Sequence, residues 1–233
     1  MEQLQCLNFQ FNIFFEPVRD IREKASTIEN YLKDEIPNGF NILPNMGDNV
    51  PLEIPRMVGN DSTGKYGVVI SCVHANIIQT KFENSDVMEN FREFRKVLEK
   101  LYSSICNIMD KPSIKFCGIT MILSRSNVDG VNFIREKFIN SNLNMNLFDI
   151  YTKFTYLEDE KYYVNIALSN LRNKSLEDGG MGLQIDVNDR YRYNISKDTK
   201  NNIDEKACCS EDNVIEKLSI ICEDVIKNRI QEF

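Results

Sequence analysis

A chain of 233 residues, 42% hydrophobic and 27% charged, is long enough for one large or two small cored domains and too apolar for disorder. Its net charge of -7, from 28 Lys and Arg against 35 Asp and Glu, sets up a negative field that disfavours nucleic acid as a partner. No apolar run approaches the roughly 20 residues of a membrane span. The opening MEQLQCLNF lacks a basic stretch before an apolar core, and the seven cysteines are an odd number lying mostly within apolar runs, so a cytoplasmic protein with free thiols and no membrane partner is expected.

From the N-terminus, Leu7, Phe9, Phe11, Ile13 and Phe15 alternate with Asn8, Gln10 and Asn12, the period of a half-buried strand, and Pro17 ends it. Ile21, Ala25, Ile28, Tyr31 and Leu32 then predict a helix over Asp20 to Asp34, broken by Pro37-Asn38-Gly39. Three strands are predicted over Leu52 to Gly59, Tyr66 to His74 and Asn76 to Phe82, with turns at Asn60 to Lys65 and at His74-Ala75-Asn76. A long helix follows, capped by Ser85 or Asp86, with Val87, Phe91, Phe94, Leu98 and Leu101 on one stripe.

The order then repeats. The almost wholly apolar IKFCGITMIL (Ile114 to Leu123) predicts a central strand or one covered on both faces. A helix over Val128 to Asn140 leads to strands over Leu147 to Leu157, Lys161 to Leu171 and Gly182 to Ile195, the first two joined by a turn at Glu158-Asp159-Glu160. A last helix starts near Ser210 and carries Val214, Leu218, Ile221, Cys222 and Val225 on one stripe. Each half reads strand, helix, three strands, helix. The tetrapeptide IREK occurs in both, at Ile21 to Lys24 and Ile134 to Lys137, on the predicted first helix of each half, with Ile toward the sheet and Arg22, Glu23 and Lys24 toward solvent. The expectation is an α+β fold of two pseudo-repeated halves, 1–111 and 112–233, each an antiparallel sheet with helices on one face, meeting about a pseudo-twofold axis.

Pro55-Arg56, the Asn60 to Lys65 turn, the strand pair from Val68 to Gln79, and Phe91 with Phe94 together form a pattern. It resembles a sporadically distributed bacterial family of unknown function, in which a Pro-Arg strand leads through an Asp/Gly turn to two alternating strands and an aromatic-rich helix. The likeness covers about a fifth of the chain, mainly residues 54–101. It departs where that family tends to carry Trp after the second-strand Asn, since Asn76 is followed by isoleucine and the chain has no Trp. The resemblance implies an internally duplicated α+β protein with no established catalytic residues.

Several residue groups invite chemistry and each has a plainer explanation. His74, the only histidine, lies two residues from Cys72, a spacing of about 7 Å along a strand that is too long for a nucleophile and base pair. Cys208-Cys209 fits no metal or redox spacing, and Cys222 sits on an apolar stripe as a small hydrophobe. The acids Glu158 to Glu160, Glu177-Asp178, Asp186 with Asp189, and Asp204-Glu205 lie mostly in predicted turns, Asp186 alone falling within a strand, whereas a metal hydrolase needs carboxylates converging on one point. EDGGMG (Glu177 to Gly182) precedes a strand and so reads as a flexible loop rather than a phosphate cradle. DRYRYNISK (Asp189 to Lys197) could stack bases but is crowded by acids and reads as an exposed strand end.

The function expected from the sequence is non-catalytic recognition of a protein partner, by strand addition or by the cleft between halves. No cofactor or metal is expected, and the family likeness suggests a defence, toxin-neutralising or mobile-element setting. Two alternatives stay open: a metal-dependent hydrolase of nucleotides or nucleic acid centred on Asp186, and a binder of a nucleotide or other small ligand in a groove lined by Arg56, Arg190 and Arg192.

Overall fold

The computed structural model describes residues 4–44, 50–109, 113–126, 128–139, 147–172, 178–190, 213–230 and 233. In chain order the elements are β1 (Gln5–Phe15), α1 (Ala25–Leu32), β2 (Asn41–Ile42), β3 (Met57–Asn60), β4 (Tyr66–Ile70), β5 (His74–Gln79), α2 (Val87–Asn107), β6 (Ile114–Arg125), α3 (Gly130–Phe138), β7 (Tyr151–Glu158), β8 (Tyr162–Arg172), β9 (Asp178–Asn188) and α4 (Val214–Asp224). The fold is α+β. Its nine strands form one antiparallel sheet in the order β2-β3-β4-β5-β1-β6-β9-β8-β7. β1 and β6 are neighbours, paired from Gln5 opposite Ser124 to Phe15 opposite Ile114, so residues from both halves of the chain share one ladder.

Alternation along these strands sends one set of side chains under the helices. Phe9, Phe11, Ile13 and Phe15 of β1, Cys117, Ile119, Met121 and Leu123 of β6, and Met181, Leu183, Ile185 and Val187 of β9 are all fully buried. Each such side chain stabilises the fold by roughly 1.5–3 kcal/mol, so a one-residue slip of any central strand, which would turn its whole apolar set to solvent, is excluded. Phe9 packs edge-on against Phe91 of α2, and tilted against Phe94, at centroid distances of 6.2 and 5.7 Å. Phe138 of α3 meets Phe154 of β7 at 5.2 Å, and Arg95 of α2 pairs with Glu223 of α4 at 3.3 Å. α1 packs against α2. The start of α2 follows from its cap: the Asp86 carboxylate accepts from the Met88 and Glu89 amides, filling donors that a helix N-terminus leaves unpaired.

Local hydrogen bonding moves several expected boundaries. Leu7, expected beside Phe9, is exposed, because a bulge in the β1–β6 ladder lies between Cys6 and Asn8 and shifts the alternation by one. The corner expected at His74-Ala75-Asn76 lies at Ser71 to Val73, where the Ser71 hydroxyl accepts from the Val73 and His74 amides at 3.3 and 3.1 Å. His74 therefore opens β5. The strand expected from Leu52 begins only at Met57, since Pro51 and Pro55 supply no amide to a ladder. β6 is central, as its apolarity suggests, yet Thr120 and Ile122 on its second face are only partly buried. The described part of EDGGMG is not a loop: Asp178 to Gly182 belong to β9, and Gly180 carries a φ of +126° that favours glycine.

The two IREK copies are not equivalent. Residues 20–25 form successive hydrogen-bonded turns ahead of α1, whereas the second copy lies within α3. Ile21 is fully buried as expected. The expectation that Arg22 and Lys24 face solvent is corrected: Arg22 donates to the Pro44 carbonyl at 2.8 Å and Lys24 to the Ile108 carbonyl at 2.7 Å.

Candidate functional site

The helices take one face of the sheet, and the opposite face carries the alternate residues. In β1 these are Asn8, Gln10, Asn12 and Phe14, all partly buried. In β9 they are Gln184, Asp186 and Asn188, and Gln184 is exposed. The ladders bring Gln10, Thr120, Asp186, Asn165 and Thr155 opposite one another across β1, β6, β9, β8 and β7. Amides and hydroxyls dominate this row.

Two side chains act as nodes. The Asn12 carbonyl oxygen accepts from Asn76 Nδ2 at 3.0 Å, from His74 Nε2 at 3.1 Å and from Gln10 Nε2 at 3.4 Å. The Asp186 carboxylate accepts from Asn188 Nδ2 at 2.8 Å, Asn165 Nδ2 at 2.9 Å and Thr120 Oγ1 at 3.3 Å, and Thr155 Oγ1 donates to Asn165 Oδ1 at 2.8 Å. Together these bonds fix the rotamers of side chains on six adjacent strands, β5 and β1 around Asn12 and β6, β9, β8 and β7 around Asp186. At one end of the face a row of planar groups crosses the sheet: His74 lies 4.3 Å from Phe14, Phe14 stacks on Phe116 at 4.2 Å, and the Arg190 guanidinium sits 5.2 Å from the Phe116 centroid. Desolvation of the half-buried His74 lowers its pKa, because burial disfavours the charged imidazolium.

The residues singled out in the sequence do not converge. Arg56 is only 7% exposed, and its guanidinium donates to the carbonyls of Ile54, Pro51 and Val50 at 2.9, 3.1 and 3.4 Å, so it clamps the loop before β3. Arg190 follows β9, five strands along the sheet from β3, a separation of about 24 Å at 4.8 Å per strand. Arg56 and Arg190 therefore line no common groove, and Arg192 lies outside the described residues, as do Cys208, Cys209, Glu177, Asp204 and Glu205. Asp186 is surrounded by donors, and Asp189 turns away to accept from the Cys117 amide at 2.6 Å. Among the described residues no group of three or more His, Cys, Asp or Glu side chains could hold a metal ion. Cys72 is buried in the turn before β5. Burial raises the thiol pKa of Cys6 to about 11 and that of Cys222 well above the ordinary value, which keeps both in the unreactive thiol form.

The polar network was not foreseen as a site. Its signal was present as amides at period two, in Asn8, Gln10 and Asn12 and again in Gln184 and Asn188, but alternation alone does not distinguish a solvated face from an ordered one. No family model matches the sequence, and comparison with curated proteins finds no match.

Proposed function

We propose that this chain is a non-catalytic recognition protein that docks a protein partner on the helix-free face of its sheet. The observation that carries this is the hydrogen-bonded network around Asn12 and Asp186. Its side chains are held before a partner arrives, which lowers the ordering cost of association. Asp186, Lys153 and Arg190 are the charged groups among amides, hydroxyls, aromatic rings and the aliphatic Ile78 and Ile122 on this face, a mixed chemistry that suits a protein surface better than a phosphate backbone.

Duplication is part of the same proposal. β1, β5, β4 and β3 run outward from the centre on one side and β6, β9, β8 and β7 on the other, and each set is interleaved with two helices in the same order. The IREK repeat gives no support, since its copies occupy different structural positions. A superposition of the halves that failed to bring α1 onto α3 and α2 onto α4 would sink the idea. The unbridged thiols of Cys6, Cys72, Cys106, Cys117 and Cys222 favour a reducing cytoplasm. A bacterial defence, toxin-neutralising or mobile-element setting rests on the family resemblance alone.

The test is affinity capture from host lysate under reducing conditions with three forms: wild type, Gln184→Arg on the helix-free face, and Ile220→Arg on the exposed side of α4. The proposal expects one stoichiometric protein partner with wild type and with Ile220→Arg, lost with Gln184→Arg. An eluate that carries nucleotide absorbance at 260 nm and no protein would instead favour the small-ligand alternative.

A further inference from the structure

The two edges of the sheet differ. β2 has two residues, too few to template another chain. β7 has eight, with no strand on its outer side among the described residues. It exposes Tyr151 (67%), Phe154 (39%) and Leu157 (41%). A long apolar edge of this kind pairs with another strand unless something blunts it. The direction of its free groups follows from the ladder. Asn170 N donates to Ile150 O, so the even-numbered residues of β7 bond inward to β8 and the odd-numbered ones, Tyr151, Lys153, Thr155 and Leu157, direct their amides and carbonyls outward.

We propose that β7 pairs antiparallel with β7 of a second copy of this chain about a twofold axis at Phe154. Tyr151 and Leu157 each lie three residues from Phe154, so the apolar pattern is symmetric about that position. In this register Phe154 meets Phe154 of the second copy on the helix side. On the other face Tyr151 of each copy meets Leu157 of the other, and Lys153 meets Thr155. All four outward residues of each strand fall opposite an outward residue, so every free amide and carbonyl from Tyr151 to Leu157 gains a partner. Antiparallel pairing about a perpendicular twofold axis preserves the face on which each side chain lies, which makes Phe154 opposite itself an allowed pairing.

At the ends of the paired strands the charges are mixed: Asp149, which pairs with Arg172 at 3.7 Å, falls opposite Asp159 of the second copy. Phe148, over which the Arg172 guanidinium lies at 4.1 Å, falls opposite Glu160 of the second copy. The acidic turn Glu158-Asp159-Glu160 of each copy thus comes beside the Arg172 corner of the other. The dimer joins two nine-stranded sheets edge to edge, and the helix-free faces lie on the same side.

The test is the solution mass of the whole chain across a range of concentrations, with circular dichroism to confirm folding of each variant. Wild type is expected near twice 27.1 kDa. Tyr151→Lys or Leu157→Glu alone is expected to weaken association about tenfold or more, by removing two apolar pairs and desolvating two charges. The double variant brings opposite charges face to face at both ends and is expected to recover the dimer. A monomeric wild type, a dimer that neither single substitution weakens, or a double variant as weak as the singles would overturn the proposal.

Discussion

Lys24 and Ile108, 84 residues apart, meet at the C-terminal end of α2, where the Lys24 ammonium donates to the Ile108 carbonyl at 2.7 Å. Helix C-termini leave carbonyls unpaired and carry partial negative charge, so the lysine satisfies both needs. It also pairs with Asp20 at 3.3 Å. Lys24→Met is expected to lower unfolding free energy by about 1 kcal/mol, read as a lower urea midpoint with an unchanged slope.

Arg56 should be less forgiving. Its guanidinium serves three carbonyls of the loop before β3 in a fork that a single ammonium cannot reproduce. Arg56→Met leaves those acceptors without a donor in a buried setting and is expected to cost about 2–4 kcal/mol. Arg56→Lys should recover only part of that. An Arg56→Lys variant as stable as wild type would show that charge alone, not the fork, is what the loop requires.

The single histidine permits a clean titration. Burial lowers the pKa of His74 from its ordinary 6.5, so between 6.5 and the lower folded value the unfolded chain binds a proton that the folded chain does not. Stability is therefore fully present above pH 6.5 and falls as pH drops through that interval. Imidazole NMR should report a midpoint below 6.5, and His74→Gln should flatten this part of the stability profile. A midpoint at or above 6.5 would contradict the desolvation argument.

The β7–β8 turn holds both Asp159 and Glu160 at positive φ, 49° and 54°, where side chains other than glycine are strained by about 1–2 kcal/mol. The amide of Lys161 donates to the Glu158 carbonyl at 3.0 Å, and two left-handed residues inside such a turn are the geometry that Asp-Gly serves best. Glu160→Gly is expected to raise stability by about 0.5–1 kcal/mol, visible as a higher melting temperature.

Much of the scaffold was legible because periodicity reports burial directly. The alternation from Phe9 to Phe15 and the stripe from Val87 to Leu101 each specify an element and the face it buries. Leu7 was misassigned because a bulge is decided by the partner strand β6, which no local pattern reveals. The corner at Ser71 turned on one hydroxyl competing with the ladder. Arg56 looked like a ligand-binding residue because arginine is usually exposed, and only the position of the loop carbonyls shows that it is spent internally. The contacts of Asn12 with His74 and Asn76 span 62 and 64 residues, so they exist only once the β1–β5 register is known.

The pairing of β1 with β6 at the middle of the sheet also governs how the chain can come apart. Severed between α2 and β6, neither fragment keeps a finished sheet: one ends in an open β1 and the other in an open β6, each a long strand with an apolar underside. Such fragments would aggregate alone and complement each other when mixed. The central ladder is thus a seam that makes residues from both halves of the sequence melt as one cooperative unit.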